Sequence, residues 1–164
     1  MNGATRLALI LALVAFDVIG TAGAGDELPT REAGLWELVK NVVDDPRPLP
    51  AMRQCTDEKT DRALGANAYL ASYDPCSKLK VTRTGEQWRI ESVCESMAGP
   101  MTGTTLLSGD FTSSYRMEQT TTVMGETVRQ ILMAHRVGDC ERGQKPGEIY
   151  INGMGFNLLD TNAH

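Results

Sequence analysis

Residues 78–93, KLKVTRTGEQWRIESV, decide the fold because they hold two runs of alternating apolar and polar residues around one turn. Leu79 and Val81 alternate with lysine and threonine before the turn, and Trp88 and Ile90 alternate with arginine and glutamate after it. Alternation with a period of two places the apolar side chains on one face of a strand. The Thr-Gly-Glu segment between the runs supplies the glycine that tight turns favour. The stretch therefore predicts an antiparallel β-hairpin.

Downstream of this hairpin, glycine-containing turns separate three further predicted strands. These strands span 101–107, 111–123 and 127–137, with turns at 99–100, 108–110 and around 125. Threonine is frequent between 102 and 127, as on a pleated, half-solvated surface. Evenly spaced strands with short turns predict a meander, in which each strand pairs with the next.

Upstream of the hairpin, a first strand is predicted at 34–43, and it ends before a break with three prolines within 46–50. Proline cannot donate to a sheet ladder or continue a helix. A short extended piece, 51–54, and then one short helix are predicted after the break. We expect Thr56 to cap the start of this helix and Gly65 to stop it.

Together these elements predict a mainly β fold, with a curved antiparallel meander sheet or partly closed barrel and one short disulfide-tethered helix. Residues 25–140 form a single β-rich domain in this interpretation. Residues 141–164 form a C-terminal tail, in which Asn152-Gly153 lies between two short apolar segments and predicts an extra hairpin. This hairpin either adds an edge pair to the sheet or is flexible.

Residues 1–24 have the organisation of a cleavable export signal. Arg6 provides a positive charge, residues 7–16 an apolar segment of ten residues, and Ala22-Gly23-Ala24 a small-residue cleavage site. A membrane-spanning helix needs roughly 20 apolar residues, so no membrane span is predicted. Removal of the signal would leave 140 of the 164 residues in the periplasm or outside the cell.

The net charge of −5 is spread along the chain, and no run of five basic residues occurs. Nucleic acids and anionic membrane surfaces are bound through concentrated basic patches. Neither is therefore an expected partner.

Four cysteines, Cys55, Cys76, Cys94 and Cys140, follow the export signal, which is typical of a disulfide framework. Zinc sites and redox-active dithiols need close pairs such as CxxC, whereas these cysteines are 21, 18 and 46 residues apart. Four cysteines allow three pairings. We favour Cys55 with Cys76, which would tie the helix back to the sheet, and Cys94 with Cys140.

Several short motifs occur in an order that is typical of a known group of proteins. They are Gly34-Leu35-Trp36-Glu37, Gln54-Cys55, Cys76, Cys94, Met101-Thr102-Gly103, Ser108-Gly109-Asp110 and Gly138-Asp139-Cys140. From about Ala33 to Cys140, the chain resembles the small exported Gram-negative envelope proteins grouped as domain of unknown function 3617. It departs from them in lacking a proline before Gly34 and in continuing past Cys140. The resemblance implies export and a disulfide-bonded fold, and it adds no catalytic residue because the family carries no assigned activity.

The sequence contains none of the motifs GxSxG, HExxH, P-loop or GxGxxG. His135 alternates with Met133 and Val137, which predicts a structural histidine facing the core. The acidic pairs Asp44-Asp45 and Asp57-Glu58 lie beside prolines and at the start of a helix, positions that explain them without catalysis. No catalytic residue, metal site or cofactor is predicted.

Methionine is frequent in the meander, and soft thioethers are ligands for Cu(I) in an oxidising compartment. The methionines concerned are Met97, Met101, Met117, Met124 and Met133. They form no MxxM-type cluster, and methionine is a common filler of cores and pockets. Copper handling is therefore an alternative rather than the main interpretation.

Curved antiparallel sheets have one concave apolar side, which can enclose a small ligand. We expect the residues that line this side to include Trp36, Trp88, Phe111, Tyr115 and Met117. These residues either fill a core or surround a space. The sequence thus predicts a non-catalytic envelope binding module for a small apolar ligand or a partner protein, and the alternative is an exported hydrolase or copper-handling protein. A cleft that gathers His135 with two carboxylates would favour the alternative.

Overall fold

The computed structural model of the protein describes residues 27–65 and 76–161. The strands are β1 (Gly34–Val42), β2 (Met52–Thr56), β3 (Cys76–Thr84), β4 (Gln87–Ser96), β5 (Gly99–Gly109), β6 (Ser114–Val123), β7 (Glu126–Gly138), β8 (Glu148–Ile151) and β9 (Met154–Asn157). Two short helices are α1 (Glu58–Leu64) and α2 (Leu158–Thr161). The strands form one antiparallel sheet in the order β3-β4-β5-β6-β7-β1-β2-β8-β9. The mainly β fold is therefore confirmed, and the sheet is open, with β3 and β9 at its edges.

The predicted export signal, residues 1–24, lies outside the described residues. Among the residues that the structure does describe, no helix is long and apolar enough to cross a membrane.

The hairpin expected at residues 78–93 is formed by β3 and β4. Val81 pairs with Ile90, and Thr84 pairs with Gln87 next to the turn. The meander continues through β5, β6 and β7, each of which pairs with its neighbour in sequence. The alternation in the sequence therefore gives the correct pairing of five consecutive strands.

Two of the expected strand boundaries are different in the structure. β6 begins at Ser114 rather than at Phe111, because Phe111 has a positive φ of 57° and lies in the loop before the strand. β5 begins at Gly99, so the turn before it lies at residues 97–98 rather than at 99–100.

β1 lies inside the sheet although it is the first described strand of the chain. It pairs with β7 on one side and with β2 on the other. Beyond Cys140, β8 and β9 form a hairpin, and β8 pairs with β2. β1 and β2 therefore separate the meander from the C-terminal hairpin.

The disulfide pairing favoured from the sequence is wrong. Cys55 is bonded to Cys140 and Cys76 to Cys94. Cys76 and Cys94 are opposite each other in the β3–β4 register, with Cα atoms 3.8 Å apart. Leu35 of β1 pairs with Cys55 on one side and with Gly138, the last residue of β7, on the other. β1 therefore brings Cys55 and Cys140 close together. Two disulfide bonds are consistent with an exported protein.

Helix α1 begins with a different cap from the one expected. Asp57 is the N-cap, and its carboxylate accepts a hydrogen bond from the backbone N–H of Thr60 at 2.7 Å. Thr56 instead ends β2, and its hydroxyl donates a hydrogen bond to Asp61. Gly65 ends the helix as predicted.

The hydrophobic core covers one face of the sheet, which we call the inner face. Ten buried residues form it: Trp36, Leu38, Trp88, Ile90, Leu107, Phe111, Tyr115, Met117, Leu132 and Ala134. A smaller cluster of Leu64, Ile149 and Leu158 packs the two helices against β8.

The face of β7 that is buried is not the one predicted, which was the face containing His135. Leu132 and Ala134 are buried on the inner face, so His135 and Val137 lie on the outer face. His135 is exposed and pairs with Glu37 of β1. The expectation of a core histidine is wrong because both phases of this strand contain apolar residues, and a shift of one residue exchanges the two faces.

Candidate binding site

The five residues predicted to line the concave side lie together on the inner face. The ring centroids of Trp36 and Tyr115 are 5.5 Å apart, and Phe111 lies 5.4 Å from Trp88 and 5.4 Å from Tyr115. Met117 belongs to the same core. None of the five is more than 8% exposed. We call the four rings the aromatic cluster, and they pack against one another as the floor of one end of the inner face.

Residues 27–33, which precede β1, cross the sheet beside the aromatic cluster, and we call this segment the strap. The indole N–H of Trp88 donates to the carbonyl of Glu27 at 3.0 Å, and that of Trp36 donates to the carbonyl of Glu32 at 2.9 Å. The backbone N–H of Glu32 donates to the carbonyl of Phe111 at 2.7 Å. These bonds satisfy both indoles and hold the strap against the cluster. We call this end of the inner face the closed end.

A buried ion pair joins the strap to α1. Arg31 donates to Asp61 from Nη2, Nε and its backbone N–H, at 2.7, 3.0 and 2.8 Å. The hydroxyl of Thr56 donates to the same carboxylate, and Arg31 Nη1 donates to Gln54 Oε1 at 2.8 Å. Both charged side chains are at most 1% exposed. Since buried charges are tolerated only when they are paired and hydrogen-bonded, this pair fixes the strap against the helix.

The hydroxyl of Tyr115 belongs to the same polar group. Arg31 Nη1 lies 3.5 Å from this hydroxyl, and the guanidinium carbon lies 5.9 Å from the ring centroid. Burial raises the pKa of Tyr115, so the phenol stays neutral at physiological pH. The closed end is thus a packed region in which the buried charge of Arg31 is paired with that of Asp61.

The loop between β5 and β6 is organised by the exposed carboxylate of Asp110. Its Oδ1 accepts backbone N–H groups from Ser113 at 2.6 Å, Thr112 at 2.8 Å and Ser114 at 3.0 Å. Its Oδ2 accepts the hydroxyl of Ser113 at 2.7 Å. These bonds, with the Ser113 backbone as the largest contribution, hold the pKa of Asp110 well below its usual value of 3.8. The loop in turn holds Phe111 in the aromatic cluster.

We expect Asp110→Asn to be less stable than the parent protein at pH 7 and to approach it as the pH falls. A carboxyl whose pKa is lower in the folded protein stabilises it above the unfolded-state pKa, and this contribution is lost as the carboxyl becomes protonated. Urea denaturation of both proteins between pH 7 and pH 2 measures the difference in the free energy of unfolding. The difference should shrink below about pH 4, and a pH-independent difference would contradict this account.

The opposite end of the inner face, which we call the open end, exposes apolar side chains. Met97 and Met124 lie in the turns after β4 and β6 and are 106% and 79% exposed. Leu79 of β3 and Val128 of β7 lie on the inner face near the same end and are also exposed. We call these four residues the rim. Several exposed apolar side chains at one end of a sheet face are typical of a place where a ligand or partner binds.

Three rows of side chains cross the inner face of β4 to β7 between the two ends. Cross-strand pairing defines them, and from the closed to the open end they are the large row (Trp88, Leu107, Met117, Leu132), the amide row (Ile90, Thr105, Gln119, Gln130) and the small row (Ser92, Gly103, Thr121, Val128). Side-chain size therefore decreases from the aromatic cluster towards the rim.

Gly103 lies in the small row directly opposite Ser92, whose hydroxyl occupies the space above it. A Cβ at this position would lie 2.7 Å from Ser92 Oγ, so a side chain here would displace the serine.

Two carboxamides of the amide row are incompletely hydrogen-bonded. Gln119 Oε1 and Gln130 Oε1 are inaccessible to solvent and have no hydrogen-bond partner among the described residues. The two glutamines are directly opposite each other on β6 and β7, and Gln119 is only 5% exposed. Buried acceptors without a partner are rare in folded proteins.

The amide row was not among the predicted site residues, although the sequence contains a signal for it. Gln119 is in phase with Tyr115 and Met117 along β6, and Gln130 is in phase with Leu132 along β7. A polar residue in the apolar phase of a strand points to the buried face. The burial of Gln130 can be inferred in this way only when it is known which phase of β7 is buried.

The residues considered for other chemistry are dispersed over the sheet. Met117 is buried on the inner face, whereas Met133 lies on the outer face and Met97 and Met124 lie in turns. His135 also lies on the outer face, opposite Glu37. Within residues 27–65 and 76–161, no three His, Cys, Asp or Glu side chains are placed to share a metal ion.

Comparison with known proteins gives one family. The family described as "Protein of unknown function (DUF3617)" matches residues 31–140. No curated protein matches the chain at a significant level. A solved structure described as "The Siderocalin Ex-FABP functions through dual ligand specificities" overlaps 70% of this chain and 73% of its own at 12% identity, with a TM-score of 0.26.

Proposed function

This chain belongs to the DUF3617 family of proteins of unknown function, and we propose from its site that it is an exported, non-catalytic protein that binds a small apolar ligand. The ligand lies on the inner face, between the aromatic cluster and the rim. It enters at the open end.

The observation that carries this proposal is the difference between the two ends of the inner face. The closed end is held by the strap, with both indole N–H groups bonded to strap carbonyls. The open end has the exposed apolar rim and the small row. A sheet face that is covered at one end and exposes apolar side chains at the other is suited to hold an apolar molecule lengthwise.

Non-catalytic binding is favoured over hydrolysis or copper handling by the position of the groups that such chemistry would use. His135 is on the outer face beside Glu37, on the opposite side of the sheet from the aromatic cluster. The periplasm or the cell exterior is the proposed location, because four cysteines are joined in two disulfide bonds.

Native mass spectrometry of the mature protein, purified without detergent from its own exported fraction, tests the proposal directly. We expect an added mass that is lost on denaturation and corresponds to a small apolar molecule. A bare protein that also fails to bind the apolar fluorophore diphenylhexatriene would overturn the proposal, and an added protein mass would indicate a partner instead.

We expect Thr121→Phe to weaken the binding of diphenylhexatriene by about tenfold, or 1.4 kcal/mol. Thr121 is half-buried in the small row, so a phenyl group there would fill the space that the ligand needs. Thr120→Phe is the matched control, because Thr120 is exposed on the outer face of the same strand. Fluorescence titration of both variants measures the effect, and equal affinities would place the ligand elsewhere.

A further inference from the structure

The inner face carries polar atoms that its own described residues leave unpaired. Three buried side-chain atoms have this property among the described residues: Gln54 Nε2, Gln119 Oε1 and Gln130 Oε1. Gln54 belongs to the closed end, where its carboxamide oxygen accepts a bond from Arg31. The other two lie side by side in the amide row, between the aromatic cluster and the rim.

Both atoms of the amide row are hydrogen-bond acceptors, so they require a donor. Directly opposite residues of an antiparallel pair have Cβ atoms about 5 Å apart, and one small polar group between two such side chains can reach both. Thr105, the neighbour of Gln119 on β5, is 1% exposed and adds a hydroxyl to the same row. The row thus places buried polar groups between the aromatic cluster and the rim.

The charge beside this row limits the kind of donor. Lys40 of β1 pairs with Leu132 and therefore lies on the inner face, half-buried, one row from Gln130. A like charge placed near a partly buried ammonium is unfavourable, so a cationic amine is a poor occupant. A carboxylate has no proton to donate and would place its oxygens against two carbonyl oxygens.

We propose that the ligand is an uncharged amphiphile whose single hydroxyl proton is shared between the carboxamide oxygens of Gln119 and Gln130 in one three-centre hydrogen bond. Its apolar body lies along the inner face, in contact with the large row or the rim. This inference rests on the proposed function, since it names the chemical class of the ligand held at the same site. The carboxamides then distinguish an alcohol from a hydrocarbon of the same length, because the pair is left unsatisfied by a ligand without a donor.

Displacement of diphenylhexatriene from the mature, oxidised protein tests this inference with three probes of one chain length. The probes are 1-dodecanol, dodecyl methyl ether, which accepts but cannot donate a hydrogen bond, and dodecanoate. We expect the alcohol to bind about tenfold more tightly than the ether, which corresponds to 1.4 kcal/mol. We expect dodecanoate to bind more weakly than the alcohol.

Variants of the carboxamides assign the preference to the amide row. Gln119→Leu and Gln130→Leu should each abolish most of the preference for the alcohol while leaving the affinity for the ether unchanged or higher. Gln87→Leu is the matched control, because Gln87 is exposed at the start of β4, and it should retain the preference. The two inner-face variants are also expected to fold, since leucine replaces a side chain with a buried unpaired atom.

The outcomes separate this inference from the proposed function. If alcohol and ether displace the fluorophore equally, or if dodecanoate is preferred, the ligand class is wrong and apolar binding stands. If both leucine variants still prefer the alcohol to the ether, the carboxamides do not bind the hydroxyl group. If diphenylhexatriene itself does not bind, the proposed function fails and this inference fails with it.

Discussion

Replacing Cys55 and Cys140 together by alanine is expected to lower the free energy of unfolding by about 4 to 5 kcal/mol. This disulfide joins residues 85 positions apart, so its removal releases a long loop in the unfolded chain. The bond also connects β2 with the end of β7 across β1, the strand on which the strap and the aromatic cluster depend. Urea denaturation of the double variant measures the loss, which is large beside the usual 5 to 15 kcal/mol of a domain.

The second disulfide provides the matched control. Cys76 and Cys94 are separated by only 18 residues, so Cys76→Ala with Cys94→Ala should cost less, about 3 kcal/mol. The cost should therefore follow loop length. If removing the Cys76–Cys94 bond instead lowered the free energy of unfolding more, the pairing of β3 with β4 would limit stability rather than the link between β2 and β7 across β1.

Asp61→Ala is expected to lower the free energy of unfolding by about 3 to 5 kcal/mol. The substitution removes the carboxylate that accepts three hydrogen bonds from Arg31 and one from Thr56. It leaves a guanidinium whose side chain is 0% exposed facing a low-dielectric interior. Because Arg31 lies in the strap, the strap should also detach, and this should appear as increased tryptophan accessibility to a quencher.

A second ion pair between the same two segments provides the control. Arg62 of α1 pairs with Glu27 of the strap and with Glu58, and all three side chains are exposed. Exposed pairs contribute little because water screens them, so Arg62→Ala should leave stability almost unchanged. Adding Arg31→Met to Asp61→Ala should recover part of the loss by removing the buried charge that has lost its carboxylate. Equal effects of Asp61→Ala and Arg62→Ala would contradict the assignment.

Much of the fold follows from local patterns in the sequence. The alternation of residues 78–93 and its repetition predict the five-stranded meander from β3 to β7, and the structure has this order. The family and the presence of disulfide bonds were also predicted from short motifs and cysteine spacing. Gly65 stops α1 as expected, because glycine adopts a positive φ without a steric penalty.

The candidate site was predicted only in part. Five inner-face residues were predicted from the apolar pattern, and the structure brings them together, four from strands and Phe111 from the loop before β6. The strap and the ion pair did not follow, because each depends on segments far apart in sequence, and the amide row did not follow because both phases of β7 contain apolar residues. Arg31 and Asp61 are separated by 30 residues, and no local pattern relates them.

The sequence by itself determined the alternating strands, the turns between them and the oxidised state of the cysteines, since these depend on neighbouring residues and on the number of thiols. The tertiary structure alone decided which cysteines pair and which phase of β7 is buried. Both depend on where β1 enters the sheet. The backbone hydrogen-bonding groups along the edges of β7 and β2 could pair with many different strands. β1 is the strand that pairs there because its inner-face residues Trp36 and Leu38 complete a core assembled from distant segments.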